Sequence, residues 1–298
     1  MKEASKSQKK AYIYALSAVL FWSTMSSAFK ITLRFINFDE LLFWSALFGF
    51  IFLGLYKLLV TGFEKTCFSP GALLSSALMG AFNPFLYYLV LFKSYSLLEA
   101  QIAGTLNYVW PIFLVLFSIL FLKQKIPLKA ILSLVVSFTG IVIIITGGNL
   151  KSLHINSTTG MLLALLSALF WASYWVLNMK DTRNETSKIW LNLFFGLIYV
   201  SVYYLFTQKR LSLPSPGGLL GSLYIGIFEM SLTFVIWLKA LNNSSDTAKV
   251  SNIIFLSPFI ALFWINNAVG ESIRLSTFAG LFFIVAGIIM QQYFARRK

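Results

Sequence analysis

Glu229 is the residue whose type and place most need a chemical explanation. It stands in Ile-Gly-Ile-Phe-Glu-Met-Ser-Leu-Thr-Phe, midway along an apolar run long enough to cross a bilayer. The nearest base in sequence, Lys239, is about 10 residues away, roughly 15 Å along a helix and too far to snorkel back. A carboxyl at that depth is costly and faces a cavity or a partner. Two tasks suit it: carrying a coupling proton, or meeting the cationic group of a solute. The structural alternative is a hydrogen-bonded glutamate inside a helix bundle. About 146 positions upstream stands Asn83, followed by Pro84, so a polar side chain recurs at matching depth.

A second constellation is Thr105-Leu-Asn107-Tyr108-Val-Trp110-Pro111-Ile-Phe113, inside the apolar run Ala100–Leu122. Proline removes a backbone donor and breaks or kinks the helix. In lipid such a break persists only where protein or a water-filled cavity satisfies the freed groups. Asn107, Tyr108 and Trp110 supply polar handles beside it. The design returns in Asn252-Ile-Ile-Phe-Leu-Ser-Pro258, and acids, Glu99 and Asp246, precede the two prolines by the same interval. Paired helix breaks in corresponding places of two halves point to the binding site of a transporter. Lys249 stands three residues after Asp246. It reads either as a snorkelling rim lysine or as a gate or counter-ion for Glu229. Trp22 and Trp171 belong to a repeated motif and join the candidate pathway, with Ser23, Thr24 and Ser173 as further lining residues; such hydroxyls more often bond their own helix backbone.

Other chemistry finds no support. The chain has one histidine, His154, and one cysteine, Cys67, so no metal-ligand cluster or internal disulfide is expected. No phosphate loop is present. A membrane enzyme needs an acid/base or nucleophile constellation, and one buried glutamate does not make one. The expectation is a transporter without cofactor.

The elements that must hold these residues follow from composition. The chain is 58% hydrophobic and 11% charged, against about 25% charged in soluble domains. This is the composition of a polytopic, all-helical membrane protein. The net charge of +14 reports loop topology rather than nucleic acid. Ten apolar segments emerge: 11–29, 41–60, 72–92, 100–122, 128–146, 160–177, 189–206, 217–238, 248–269 and 275–293. With the N-terminus inside, 17 of the 24 Lys and Arg fall on the cytoplasmic side, which places both termini there and calls for an even span count. The basic N-terminus reads as a retained first helix rather than a cleaved signal.

The chain also repeats. Phe21-Trp22 matches Phe170-Trp171, Lys93 matches Lys239, Pro111 matches Pro258 and Gly140 matches Gly287, all about 147 positions apart. The reading is ten transmembrane helices in two five-helix halves. Five is odd, so the second half is inverted, a construction used for alternating access. The divisions are a tail 1–10, a first repeat 11–148, an external linker 149–159, a second repeat 160–293 and a tail 294–298. Gly140 and Gly287 are read as sites of close helix contact.

These features resemble the EamA branch of the drug/metabolite transporter superfamily. Phe21-Trp-Ser-Thr-Met25, Asn107-Tyr-Val-Trp-Pro111 and Phe170-Trp-Ala-Ser-Tyr174 are similar to motifs of the aromatic amino-acid exporters of the YddG type. The resemblance implies an inner-membrane exporter of amino acids or related metabolites. It implies a central cavity lined by spans one, three, four, six, eight and nine, to which Trp22, Asn107, Tyr108, Trp110 and Trp171 carry over by position. Glu229 and Lys249 are charges the aromatic exporters lead one not to expect. The glutamate common after the fourth helix of such repeats is Gln124 in the first half and Glu271 in the second. Alternatives are an uptake carrier or exchanger of a polar metabolite, and a lipid flippase or channel-like pore. The partners implied are a small solute, the lipid bilayer and protons, with no obligate protein partner.

Overall fold

Apolar runs of this length satisfy their backbone in lipid only by folding into helices. The computed structural model of the chain describes residues 7–62, 68–122, 128–149, 157–179, 181–208, 212–245 and 247–295. Among them there is no strand. The helices are α1 (Gln8–Thr32), α2 (Phe38–Tyr56), α3 (Pro70–Gly80), α4 (Tyr87–Leu97), α5 (Ala100–Asn107), α6 (Trp110–Leu122) and α7 (Leu128–Ile145). They continue with α8 (Thr158–Met179), α9 (Glu185–Gln208), α10 (Pro216–Ile227), α11 (Thr233–Asn243), α12 (Thr247–Asn252), α13 (Ser257–Trp264) and α14 (Leu275–Ala295). A wide turn kinked at Asn83, Ala81–Leu86, joins α3 to α4, and a wide π-type turn, Phe228–Leu232, joins α10 to α11. A tight 3₁₀ turn, Ile253–Leu256, joins α12 to α13. Among the described residues, 7 helical stretches are long and apolar enough to cross a membrane, and shorter apolar helices accompany them. An all-helical membrane fold of ten spans is compatible with this set.

The boundaries carry the repeat nearly to the residue. α5 and α12 begin at Ala100 and Thr247, and α6 and α13 at Trp110 and Ser257, the same interval apart. The start signals recur as well. Ser69 caps α3 by accepting from the Ala72 N–H, and Ser215 caps α10 by accepting from Gly218 N–H, each followed by proline at the first helical position. Proline suits that place because its missing N–H would have no helical partner there.

The helices pack as two compact units. One comprises Met1–Phe85 and Arg183–Trp264, the other Leu86–Thr182 and Ile265–Lys298. Each draws on both sequence halves, so packing units and sequence repeats are different divisions of the chain.

In the first unit, Ala11, Ala15 and Ala18 make a small-residue stripe on α1 that receives Trp237, Ala240 and Val250. Lipid tails are as apolar as side chains, so association rests on such close packing rather than on hydrophobic transfer. α2 meets α10 where Gly49 faces Gly226, and α3 meets α9 where Gly80 faces Gly196. The two crossings are repeat images of each other. In the second unit α7 packs along α14. Gly140 lies against Gly280 and Ile284, while Gly287 lies against Ser133 and Ser137. That is again one contact set seen twice, in line with the close approach expected of both glycines. The Ser137 hydroxyl donates to the Ile284 carbonyl at 3.1 Å, at the position where the pattern maps onto itself.

Candidate functional site

The second unit holds the Asn107 constellation. α5 stops at Asn107, Tyr108 and Val109 form a turn, and α6 starts at Trp110 with Pro111 second. The Asn107 carbonyl faces a residue without an N–H, so the helix cannot continue through it. The Asn107 side chain is fixed from two sides. Its Nδ2 donates to Ser167 Oγ at 2.8 Å, and its Oδ1 accepts from the Tyr87 hydroxyl at 3.4 Å. The Tyr87 ring lies 4.7 Å from Trp171, which stacks on Tyr174 at 5.8 Å and meets the edge of Trp175 at 5.9 Å. The fold therefore brings Asn107 and Trp171 together through Tyr87. Tyr108 and Trp110 are half-buried at the break itself. Ser167 was not singled out in the sequence, because one serine in an apolar helix carries no distinguishing signal.

A clamp holds the other end of α5. The Glu271 carboxylate accepts from the N–H groups of Ala100, at 2.8 Å, and Gln101, at 3.2 Å. Carboxylates are favoured at a helix N-terminus by its unsatisfied N–H groups and dipole. Gln101 Nε2 donates to Glu99 at 3.0 Å and to the Ser272 carbonyl at 3.0 Å, and its Oε1 accepts from the Arg274 N–H at 2.9 Å. Arg274 pairs with Glu99. The acid twelve residues before Pro111 is thus engaged in a clamp. Its counterpart Asp246 lies outside the described residues, as do Cys67, Gln124 and His154.

The first unit holds the Glu229 constellation. Glu229 sits on the wide turn Phe228–Leu232 and is 7% exposed. Phe228 lies between Phe21 and Tyr224, with both ring distances 4.8 Å. The Tyr224 hydroxyl meets Thr24 Oγ1 at 2.8 Å. Trp22, one residue along α1, packs on Phe234 at 5.8 Å and Trp237 at 5.6 Å. Asn83 occupies the matching wide turn with a non-helical backbone (φ −144°, ψ 117°). Its side chain is buried, and its Oδ1 has no hydrogen-bond partner among the described residues. Pro84 seats on Gly196 of α9. Lys249 and Asn252 are exposed, one turn apart on α12. Pro258 is buried at the second position of α13, which packs against α1. Among the described residues no three His, Cys, Asp or Glu side chains are grouped to hold a metal.

The model of the EamA-like transporter family fits residues 9–146 and again residues 158–291. The chain belongs to the EamA-like transporter family. Its relatives include the uncharacterized transporter YvbV of Bacillus subtilis, 28% identical over 65% of this chain and 63% of that one. Protein PecM of Dickeya dadantii is 26% identical over 74% of this chain and 75% of its own. The aromatic amino acid exporter YddG of Escherichia coli is 26% identical over 77% and 79%. The match thus spans less than two thirds of YvbV. A solved crystal structure shares the fold with a TM-score of 0.68 over 98% of this chain and 99% of the other, at 18% identity. Membership in the EamA-like family, together with the long apolar helices, makes this an integral, multi-pass membrane protein.

The breaks allow a direct test. Pro111→Ala restores a donor facing the Asn107 carbonyl and lets α5 run into α6; Pro258→Ala does the same between α12 and α13. Each variant is expected to insert and fold while transport slows about tenfold, a change of about 1.4 kcal/mol in the limiting barrier. Wild-type rates in the double variant, measured in liposomes, would show that the breaks do not organise the site.

Proposed function

We propose that the chain is a secondary transporter that works by alternating access and exports amino acids, aromatic ones among them, or related small metabolites across a bacterial cytoplasmic membrane. The observation that carries this reading is the Tyr87–Asn107–Ser167 hydrogen-bond chain beside the Trp171 ring at a helix break. Aromatic faces accept a flat or apolar side chain in offset or edge-on packing. An amide held from both sides, next to an interrupted backbone, offers fixed donors and acceptors to the polar end of a solute. Few such groups in an otherwise apolar lining are the usual composition of a small-molecule site. The likeness to YddG, whose name states aromatic amino acid export, supports the solute class.

Glu229 supplies the coupling in this reading, as a proton carrier or as the group that meets a solute ammonium. Both termini lie in the cytoplasm, following the distribution of Lys and Arg. The two five-helix halves run in opposite senses, with divisions near 11–148 and 160–293.

The test is a panel of radiolabelled amino acids and other metabolites offered to the purified protein in liposomes, with and without a pH gradient. Saturable exchange of at least one aromatic amino acid is the expected result. Scrambling of labelled phospholipid without saturable transport of any solute would replace the reading with a flippase.

A further inference from the structure

Hydroxyls on helices ordinarily bond a carbonyl three or four residues back. Ser17, Ser173 and Ser201 do so here, each reaching four. Two hydroxyls around Glu229 reach five. Ser231 Oγ lies 3.0 Å from the Gly226 carbonyl, and Thr233 Oγ1 donates to the Phe228 carbonyl. A five-residue reach fits a helix turn that holds one residue more than the α-helical register. Ser231 Oγ also lies 2.9 Å from the Gly49 carbonyl of α2. Its single hydrogen is shared between a carbonyl of its own turn and one of the neighbouring helix. The approach depends on Gly49, since a Cβ there would lie 3.0 Å from the Gly226 carbonyl oxygen and 3.1 Å from Ser231 Oγ. Glu229 lies in the chain between the bonded carbonyls of Gly226 and Phe228 and the hydroxyls of Ser231 and Thr233 that reach back to them, on the turn these bonds close.

The first repeat does this differently. Its wide turn carries Asn83-Pro84 packed on Gly196, and Phe85 and Tyr87 stand where Ser231 and Thr233 are expected from the repeat. The hydroxyl pair accompanies the glutamate and not the asparagine.

We propose that Ser231, seconded by Thr233, is a positioning residue for Glu229: it holds the wide turn against α2 and so sets the direction of the carboxyl. The proposal rests on the reading of Glu229 as the coupling group. Closing the turn to α-helical register slips the chain by one residue, about 100° of rotation about the axis. Glu229 then points elsewhere, although its chemistry is unchanged. Thr233 alone does not prevent this, because its hydroxyl stays within the turn and makes no tie to α2.

The experiment separates position from coupling. In a Cys67→Ser background, Glu229→Cys is modified with a small charged methanethiosulfonate in liposomes, alone and combined with Ser231→Ala or Ser231→Thr. Ser231→Ala is expected to change the modification rate by at least about fivefold, as a rotation of about 100° requires; Ser231→Thr, which keeps the hydroxyl, leaves it within about twofold. An unchanged rate in Ser231→Ala overturns the proposal. In the protein that retains Glu229, Ser231→Ala is expected to lose gradient-driven accumulation while exchange persists, and Ser231→Thr to keep both. Ser231→Ala with full gradient-driven accumulation also overturns it. Should Glu229→Gln itself transport normally, the coupling reading falls, and the modification rates still decide whether Ser231 orients position 229.

Discussion

Glu229→Gln is expected to abolish accumulation driven by a pH gradient, with a loss of more than about tenfold, and to leave solute exchange close to wild type. The amide has the shape and hydrogen-bonding reach of a protonated carboxyl, but it cannot release a proton. A carrier locked in one protonation state still alternates with solute bound, so exchange continues while coupling stops. Glu229 is 7% exposed, on the wide turn whose Phe228 packs against Phe21 and Tyr224, so any ion it meets meets it away from bulk water. If Glu229 instead receives a solute ammonium, the same variant loses affinity in both assays. Glu229→Leu separates a third role, because a structural glutamate fails there through lower expression. Normal accumulation and normal affinity in Glu229→Gln would leave only that structural role.

The span pattern was legible because each segment has to satisfy its own backbone, which forces long apolar runs with breakers between them. The proline breaks were legible for a chemical reason: a missing N–H acts wherever the residue sits. Pro111 and Pro258 accordingly fall second in α6 and α13. The wide turns were not legible. One extra residue in a turn changes neither hydropathy nor propensity, so Phe228–Leu232 reads as continuous helix, and Ser231 and Thr233 read as ordinary helix hydroxyls. The division into two packing units was hidden as well, since hydropathy identifies spans without naming their neighbours. Two of the 17 bases counted on the cytoplasmic side also have local partners that the sequence did not show. Lys57 and Lys188, counted as topology markers, are each 2% exposed. Lys57 donates to Ser187 at 2.6 Å and so ties the end of α2 to the start of α9, while Lys188 pairs with Glu185 at 2.8 Å within the first turn of α9. The Glu271 clamp on α5 needed the fold, because its partners are 170 and 171 residues apart.

Gly140→Ala is expected to destabilise the protein by about 3 kcal/mol, at the upper end of overpacking effects. The new methyl would meet the Ile284 Cγ1 at 2.9 Å and also backbone that cannot turn aside: the Gly280 carbonyl, and the Ile284 amide at 2.9 Å. α7 and α14 would have to separate, stretching the Ser137-to-Ile284 hydrogen bond in the same interface. Helix association in lipid depends on such contacts because no hydrophobic transfer compensates for their loss. Gly287→Ala should behave alike, since its methyl falls 2.6 Å from both the Ser133 carbonyl and the Ser137 amide. Gly71→Ala is the control: a Cβ there meets nothing within 4 Å, and alanine favours helix. Thermal unfolding in detergent checks all three, with both interface variants falling well below wild type and Gly71→Ala at or slightly above it. Equal melting of Gly140→Ala and Gly71→Ala would mean that α7 and α14 do not rest on the two glycines.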